Sequence, residues 1–338
     1  MTAVTPAVLR QAFLHDRLTL ESTTRRASPI PWPAGLAPTP VTPPEWNAGG
    51  PLPEADVLVV TWTAAEGQAL ADVLSPGIEA QDWDRYTENW SQFEAHLTGR
   101  SPARSARCMA ACQLITIGKL RVCLVKSDLH LATDDATMPV KALWHQMIGD
   151  TGARLVITTG TAGGVGAEVV EGDSAVARVV QFDCRKEFKD APFASESFPC
   201  TFDASGIGFG ETLNLMAVNA DLLRPEATRD PIVRLGDVIT TDFFAMDTSD
   251  DAYGLRAYNR AAVAVEMDDA SLGLAIQEIG GGAPQWISVR SASDPQIPSQ
   301  GTLQQQSEEA SRIYLRFGYA AQVATLCVVW QIIAAFGS

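Results

Sequence analysis

The run Leu155-Val156-Ile157-Thr158-Thr159 limits the fold more than any other stretch of the chain. It is apolar or β-branched throughout, too short for a typical helix, and lacks the alternation of a strand with one wet face. Such a run belongs to a strand covered on both sides, in a sheet with helices above and below it. The surrounding sequence agrees. Strands are expected at Val57–Trp62, at two runs within Leu114–Val125 that turn at Gly118-Lys119, and at Ala175–Phe182, Val233–Thr240, Ala262–Val265 and Trp286–Val289. Helices are expected at Ala64–Leu74, Met138–Ile148, Asp269–Gly280 and Leu303–Phe336, the last interrupted near Phe317-Gly318. No internal repeat is present. Strand and helix in alternation predict an α/β chain with a mostly parallel sheet and helices on both faces.

Ahead of this pattern the text changes character. Residues 4–20 have a short amphipathic pattern, and Pro29 to Pro53 contains proline steps that neither a helix nor an inner strand tolerates. Residues 1–54 are therefore expected to be a helix followed by an extended arm, lying over the domain or a neighbouring subunit. Residues 55–338 are expected to form the catalytic domain. A formal charge of −15 excludes nucleic acid and anionic membrane surfaces as natural partners. Six cysteines over 338 residues are too sparse for a disulfide scaffold, and four scattered histidines give no zinc pattern. Arg10, His15, Asp16 and Arg17 break up the only candidate leader. Ala320–Phe336 is apolar, but is interrupted by Gln322 and Gln331 and falls short of a bilayer span. A soluble cytoplasmic protein whose last helix is buried is expected.

In sheets of this kind ligands bind beyond the carboxyl ends of the strands. Four such ends carry chemistry. After the first strand come Thr61, Trp62, Thr63 and Glu66. After the buried strand comes the small-residue run Thr159-Gly160-Thr161-Ala162-Gly163-Gly164, which lets a flat ligand approach bare backbone. Then come Val265-Glu266-Met267-Asp268-Asp269 and Arg290-Ser291-Ala292-Ser293-Asp294-Pro295. Each has a plain structural reading: a helix-start carboxylate for Glu66, Asp268 and Asp269, turn chemistry for the glycines and for Asp294. The glycine run is neither a dinucleotide fingerprint nor a P-loop. Their common placement at strand ends predicts a single crevice.

Three blocks in this order, Thr158–Gly164, Ala264–Asp268 and Val289–Asp294, with Gly172-Asp173 between the first two, resemble the nucleoside phosphorylase and nucleosidase superfamily. The 5′-methylthioadenosine/S-adenosylhomocysteine nucleosidase branch is the most similar. The resemblance runs from Asp56 to the C-terminus and implies a three-layer fold with a central mixed, mostly parallel twisted sheet flanked by helices. It implies that Asp294 protonates N7 of a purine, oriented by Ser293, while the sugar becomes oxocarbenium-like. It places Glu66 as the base for an attacking water, and Arg290 as a group that steadies Glu66. Thr161, Ala162 and Gly163 would meet the base and the nucleophile. Phe244, with Phe243 as the alternative, would stack on the base. Met267 and Asp268 stand where the family has Met-Glu against the ribose, so the acid is one methylene short. Asp269 is a possible substitute for it, and Glu266 a supporting group or sugar contact. The resemblance also implies a homo-oligomer, and no cluster in the sequence implies a metal or organic cofactor.

Hydrolysis is favoured because no arginine lies in Thr61–Leu74 to hold phosphate. The alternatives are a phosphorylase using Lys126, His130 or Lys141, and a non-catalytic nucleoside-binding protein.

Overall fold

A computed structural model describes residues 26–41, 49–131, 133–134, 136–182, 197–224, 227–241, 255, 259–294, 296 and 302–338. Among these, eleven strands form one sheet: β1 Thr39–Pro40, β2 Val57–Thr61, β3 Asp84–Tyr86, β4 Ala110–Ile117, β5 Leu120–Ser127, β6 Leu155–Gly164, β7 Ser174–Phe182, β8 Ser197–Pro199, β9 Val233–Thr240, β10 Ala262–Glu266 and β11 Gln285–Asp294. The α-helices are α1 Ala64–Leu74, α2 Trp90–Glu94, α3 Pro102–Ala106, α4 Ala142–Thr151, α5 Gly210–Ala217, α6 Asp269–Ile279 and α7 Leu303–Phe336.

The strands run β1-β4-β5-β2-β6-β10-β9-β7-β11, and β11 also pairs with β6. One half of the sheet is thus open, and the other closes into a five-stranded ring through β6, β10, β9, β7 and β11. The sheet is mixed: five of the eleven pairings are parallel, and these join β5, β2, β6 and β11, and β10, β9 and β7. The antiparallel pairings come from the β4–β5 hairpin, from short edge strands, and from the two places where the ring closes. Gly118 makes the hairpin turn at φ +58, a conformation that glycine adopts without strain.

Both faces are covered, as the buried run required. On β2, Val57 and Val59 pack into one apolar cluster with α1, α5 and α7, while Leu58 and Val60 pack into the other with α4 and α6. The described part of the arm lies on this same chain. Arg26 bonds Asp72 at 2.8 Å, Trp32 packs on Trp330, and Thr39–Pro40 adds a short strand beside β4. The expected helix over residues 4–20 lies outside the described residues.

Three local expectations change. The helix expected from Met138 begins only at Ala142, because Met138 is extended and Pro139 has no N–H to donate. The glycines after Thr159 do not form a turn, since β6 continues to Gly164. A Cβ on Gly160 would sit 2.6 Å from an Arg290 nitrogen and 3.1 Å from the Glu66 carboxyl, so the glycine makes room for those side chains. The last helix is unbroken. Gly318 serves the ring of Tyr314, which a Cβ there would meet at 2.9 Å.

That helix also extends well upstream of Ala320, so Ser311–Phe336 is long and apolar enough to cross a membrane by length and composition alone. The fold buries 78% of its most apolar window. Its polar side chains pin it to the sheet: Gln322 donates to Thr159 at 2.9 Å and bonds Ser291 at 3.1 Å, and Thr325 bonds Ser174 at 2.7 Å. Buried glutamine and threonine satisfied by strand hydroxyls are the pattern of a core helix.

Candidate active site

One cleft of about 590 Å³ opens over the ends of β2, β5, β6, β10 and β11. Glu66, Thr161, Ala162, Gly163, Glu266, Met267, Asp268, Arg290, Ser293 and Asp294 all line it. Of the expected site residues only Phe244 is not placed; it and Phe243 lie outside the described residues. Sequence reasoning placed Trp62 at a strand end without a role, passed over Thr241 and Tyr314 as lining residues, and considered His130 only as a phosphate ligand. Tyr314 reaches the cleft from α7 and donates to Thr63 at 3.0 Å.

Glu66 is buried, with 2% of its surface exposed. It occupies the third position of a capping box, so α1 begins with Thr63 and Glu66 bonded to each other's backbone. Its Oε2 accepts from Thr61 Oγ1 at 2.8 Å, Trp62 N at 3.0 Å and Thr63 N at 2.9 Å. Its Oε1 accepts from Thr161 N at 2.8 Å and Thr161 Oγ1 at 2.6 Å. Burial alone would raise its pKa, but the bonds from Thr161 and Thr63 and the charge of Arg290 outweigh that and hold it below the ordinary carboxylate value. Glu66 therefore starts a helix and lines the cleft at the same time.

Asp294 closes β11 and is 5% exposed. The Ser293 hydroxyl donates to its Oδ1 at 2.8 Å, as expected of an orienting residue. Burial pushes its pKa up to about 6; the serine bond opposes this and the charge of Glu171 adds to it. No cation among the described residues offsets the burial, which is the difference from Glu66.

Beneath the cleft floor lies a buried ionic network. Arg290 bonds Asp269, with Nε 2.9 Å from Oδ2, and its Nη2 lies 3.0 Å from Glu266 Oε2. Its guanidinium stacks on Trp62, 4.7 Å from the ring centroid. The expected Arg290–Glu66 ion pair is thus replaced by pairs to Asp269 and Glu266, although the charge of Arg290 still reaches Glu66. Asp269 is fully buried and also accepts from Ser288 Oγ. It therefore cannot substitute for Asp268 at a ligand, because its first helical turn points it under the strands rather than into the cleft.

Glu266 likewise turns inward. Its carboxylate accepts from Thr240 Oγ1, from Asp268 N at 2.6 Å and from Asp269 N at 3.1 Å, and so caps the N-terminus of α6. Of the two roles expected for Glu266, support is the one its bonds describe. Burial and the neighbouring Asp269 raise its pKa to about 7. Asp268 is held by Leu131 N at 2.9 Å and pairs with His130 Nε2 at 3.1 Å. Its pKa lies well above the usual carboxylate range through burial and the charge of Glu266, while burial lowers that of His130 to about 4.

Of the three residues named for a phosphate site, only His130 lines the cleft, and burial lowers its pKa to about 4. Lys126 bonds Asp128, and Lys141 bonds Glu278 at 2.6 Å on the surface; neither lines the cleft. The arrangement can present a protonated acid and an ionised carboxylate to one ligand, and the one arginine among the described lining residues already has two carboxylate partners.

A family model described as the phosphorylase superfamily matches residues 94–317. No curated protein sequence matches the chain. The fold is similar to that of 5′-methylthioadenosine nucleosidase from Arabidopsis thaliana in apo form, at 15% identity and a TM-score of 0.53, covering 85% of this chain and 97% of that one. It is also similar to S-adenosylhomocysteine nucleosidase from Streptococcus pyogenes in complex with 5-methylthiotubericidin, at 16% identity and a TM-score of 0.52, covering 83% and 97%. Futalosine hydrolase of Helicobacter pylori is similar at 15% identity and a TM-score of 0.51, covering 82% and 97%.

Proposed function

Because the chain belongs to the phosphorylase superfamily, we propose that it is a nucleosidase, cleaving the N-glycosidic bond of a purine nucleoside or a 5′-modified purine nucleoside with water as nucleophile. One observation carries this reading. Two buried carboxyls, Asp294 and Glu66, line the same cleft, and their surroundings drive their ionisation in opposite directions. Titratable pairs pushed apart in this way mark acid and base roles.

Asp294, protonated below about pH 6, donates to N7 as the C1′–N9 bond lengthens, so that the base leaves neutral rather than as an anion. The sugar acquires positive charge, which the ionised Glu66 stabilises across the cleft. Glu66 also accepts a hydrogen bond from the water that attacks C1′, and takes that water's proton once the C1′–O bond has formed. With five donors already on its oxygens, it is a weak proton acceptor. An oxocarbenium-like carbon is electrophilic enough that placing the water matters more than deprotonating it early. Thr161 fixes the Glu66 carboxylate, and Ser293 fixes Asp294.

Water rather than phosphate is supported by the charges. Glu66, Glu266, Asp268 and Asp294 line the cleft, and Arg290 is already bonded to Asp269 and Glu266. An anion entering there would meet the ionised Glu66, with no unpaired guanidinium fork among the described lining residues. The similar structures described as nucleosidases and a hydrolase point the same way. Incubating the purified protein with a nucleoside panel, with and without phosphate, tests the reading. Free base and free sugar are expected in both arms; base release only with phosphate would overturn hydrolysis. The proposal includes a cytoplasmic homo-oligomer, which light scattering and fractionation check.

A further inference from the structure

Trp62 touches two charged groups of the cleft at once. Its backbone N–H donates to Glu66 Oε2 at 3.0 Å, and the guanidinium of Arg290 lies over its indole, 4.7 Å from the ring centroid. The residue is 6% exposed and its ring is held in turn. Trp144 meets that ring edge-on, with centroids 6.2 Å apart, and Trp144 Nε1 donates to Ser271 Oγ at 2.9 Å. Ser271 belongs to α6, whose first turn also carries Asp269. One helix therefore fixes the edge of the guanidinium through Asp269 and its face through the two tryptophans.

Arg290 feels the charge of three buried carboxylates, Asp269, Glu266 and Glu66. A Cβ on Gly160 would lie 2.6 Å from Arg290 Nη1 and 3.1 Å from Glu66 Oε1, so the two groups crowd the same point of β6. Yet among the described residues the ion pairs of Arg290 run to Asp269 and Glu266 rather than to Glu66. Opposite charges this close, both buried, attract strongly. A guanidinium free to turn would close the remaining gap. A flat ring against its face resists that turn, because stacking favours a guanidinium plane that follows the indole.

We propose that Trp62 is a positioning residue whose ring holds Arg290 off Glu66, so that the Glu66 carboxylate stays open to the attacking water. The proposal rests on the nucleosidase reading for the role of Glu66, and on geometry for the separation of the two charges. With five donors already on its oxygens, Glu66 has little room left for a water. An arginine bonded to it would fill that room. Held where it is, Arg290 lends the carboxylate its charge without covering it. Trp62 thus acts through Arg290 and Glu66, not on the reacting atoms.

The test compares Trp62→Phe, which keeps a flat ring, with Trp62→Leu, which keeps apolar bulk but offers the cation no face. Each is crystallised, and each is assayed for kcat, KM and the pH dependence of kcat/KM on a nucleoside that wild type cleaves. In Trp62→Leu, Arg290 is expected to pair with Glu66. Its kcat should fall about tenfold with KM within about threefold, and the acidic limb should move down by about one pH unit, because the nearer cation favours the ionised Glu66. Trp62→Phe is expected to keep Arg290 and the limb in place, with kcat within about threefold of wild type. Asp269→Asn is the second route should Trp62→Leu not fold. With the ring intact, Arg290 is expected to stay off Glu66 although an anionic partner is lost. Arg290 unmoved in Trp62→Leu, with a raised KM and an unshifted limb, would overturn the proposal and make Trp62 a wall of the binding site. Arg290 swinging to Glu66 in Asp269→Asn would overturn it too, by assigning the separation to Asp269. The crystal structures read the separation without turnover, so a wild type that hydrolyses no nucleoside sinks the hydrolytic reading alone.

Discussion

The open half of the sheet supplies Glu66 to the cleft and the closed ring supplies Asp294, and the two halves treat these carboxyls in opposite ways. Glu66, at the end of β2, sits at a helix start where backbone amides and threonine hydroxyls converge, so its charge is satisfied five times over. Asp294, at the end of β11, is buried to a similar degree with a single serine donor and a repelling glutamate. Burial raises both, and the number of donors decides which carboxyl keeps its proton. Two residues of nearly the same chemistry thereby become an acid and a carboxylate through the donors and charges that the fold places around each.

The largest effect expected from breaking this contrast is at Asp294. Asp294→Asn keeps the shape but cannot transfer the proton, and kcat should fall about 10²–10⁴-fold with ligand binding retained. The sign of its stability effect is also set. The folded pKa of about 6 lies above the ordinary 3.8. The stability tied to this group is therefore fully present below pH 3.8 and is lost as pH rises through about 6. Urea titrations should show Asp294→Asn gaining on wild type above pH 6, by at most about 3 kcal/mol.

Arg290→Met attacks the network beneath both carboxyls. It leaves Asp269 and Glu266 buried without their cation, and should cost about 3–5 kcal/mol in denaturant melts. A loss under 1 kcal/mol would mean that the network is not stabilised by that charge.

Glu66→Gln should lower kcat about tenfold to a hundredfold, less than the change at Asp294, because the carboxylate steers water and charge more than it takes a proton. Its stability effect has the opposite sign. Glu66 lies below its ordinary 4.5, so its contribution is present above that pH and is lost as pH falls through the depressed value. The stability difference between wild type and Glu66→Gln should shrink in acid. Thr161→Val is the mildest test. It removes the 2.6 Å hydroxyl bond to Glu66, which should move the acidic limb of the pH profile upward by about one unit while leaving the alkaline limb alone.

What the sequence disclosed follows from what is local. The buried run at Leu155–Thr159 forecast a sheet covered on both faces, because strand burial is written in consecutive residues. Helix α1 was visible with its bounds, since Thr63 and Glu66 form a capping box three residues apart. Asp294 and Ser293 are neighbours, so their bond could be anticipated. The partner of Arg290 could not. Asp269, Glu266 and Glu66 are all within its reach once the chain has folded, and the rotation of α6 decides among them. Tyr314 was hidden for a similar reason, and His130 could be named only as a candidate phosphate ligand. One comes from a helix that begins far along the chain, the other from a loop whose destination depends on where β5 is inserted. The short strands β3 and β8 carry too few residues to show a period.

The central claim is that a protonated Asp294 and an ionised Glu66 act together, and the pH dependence of kcat/KM on a ribonucleoside tests it most directly, because it reports the free enzyme's acid and base. The predicted profile falls above about pH 6 as Asp294 loses its proton, and this limb disappears from the residual activity of Asp294→Asn. Activity that rises steadily from pH 6 to 8, or a limb near pH 6 that persists unchanged in Asp294→Asn, would contradict it.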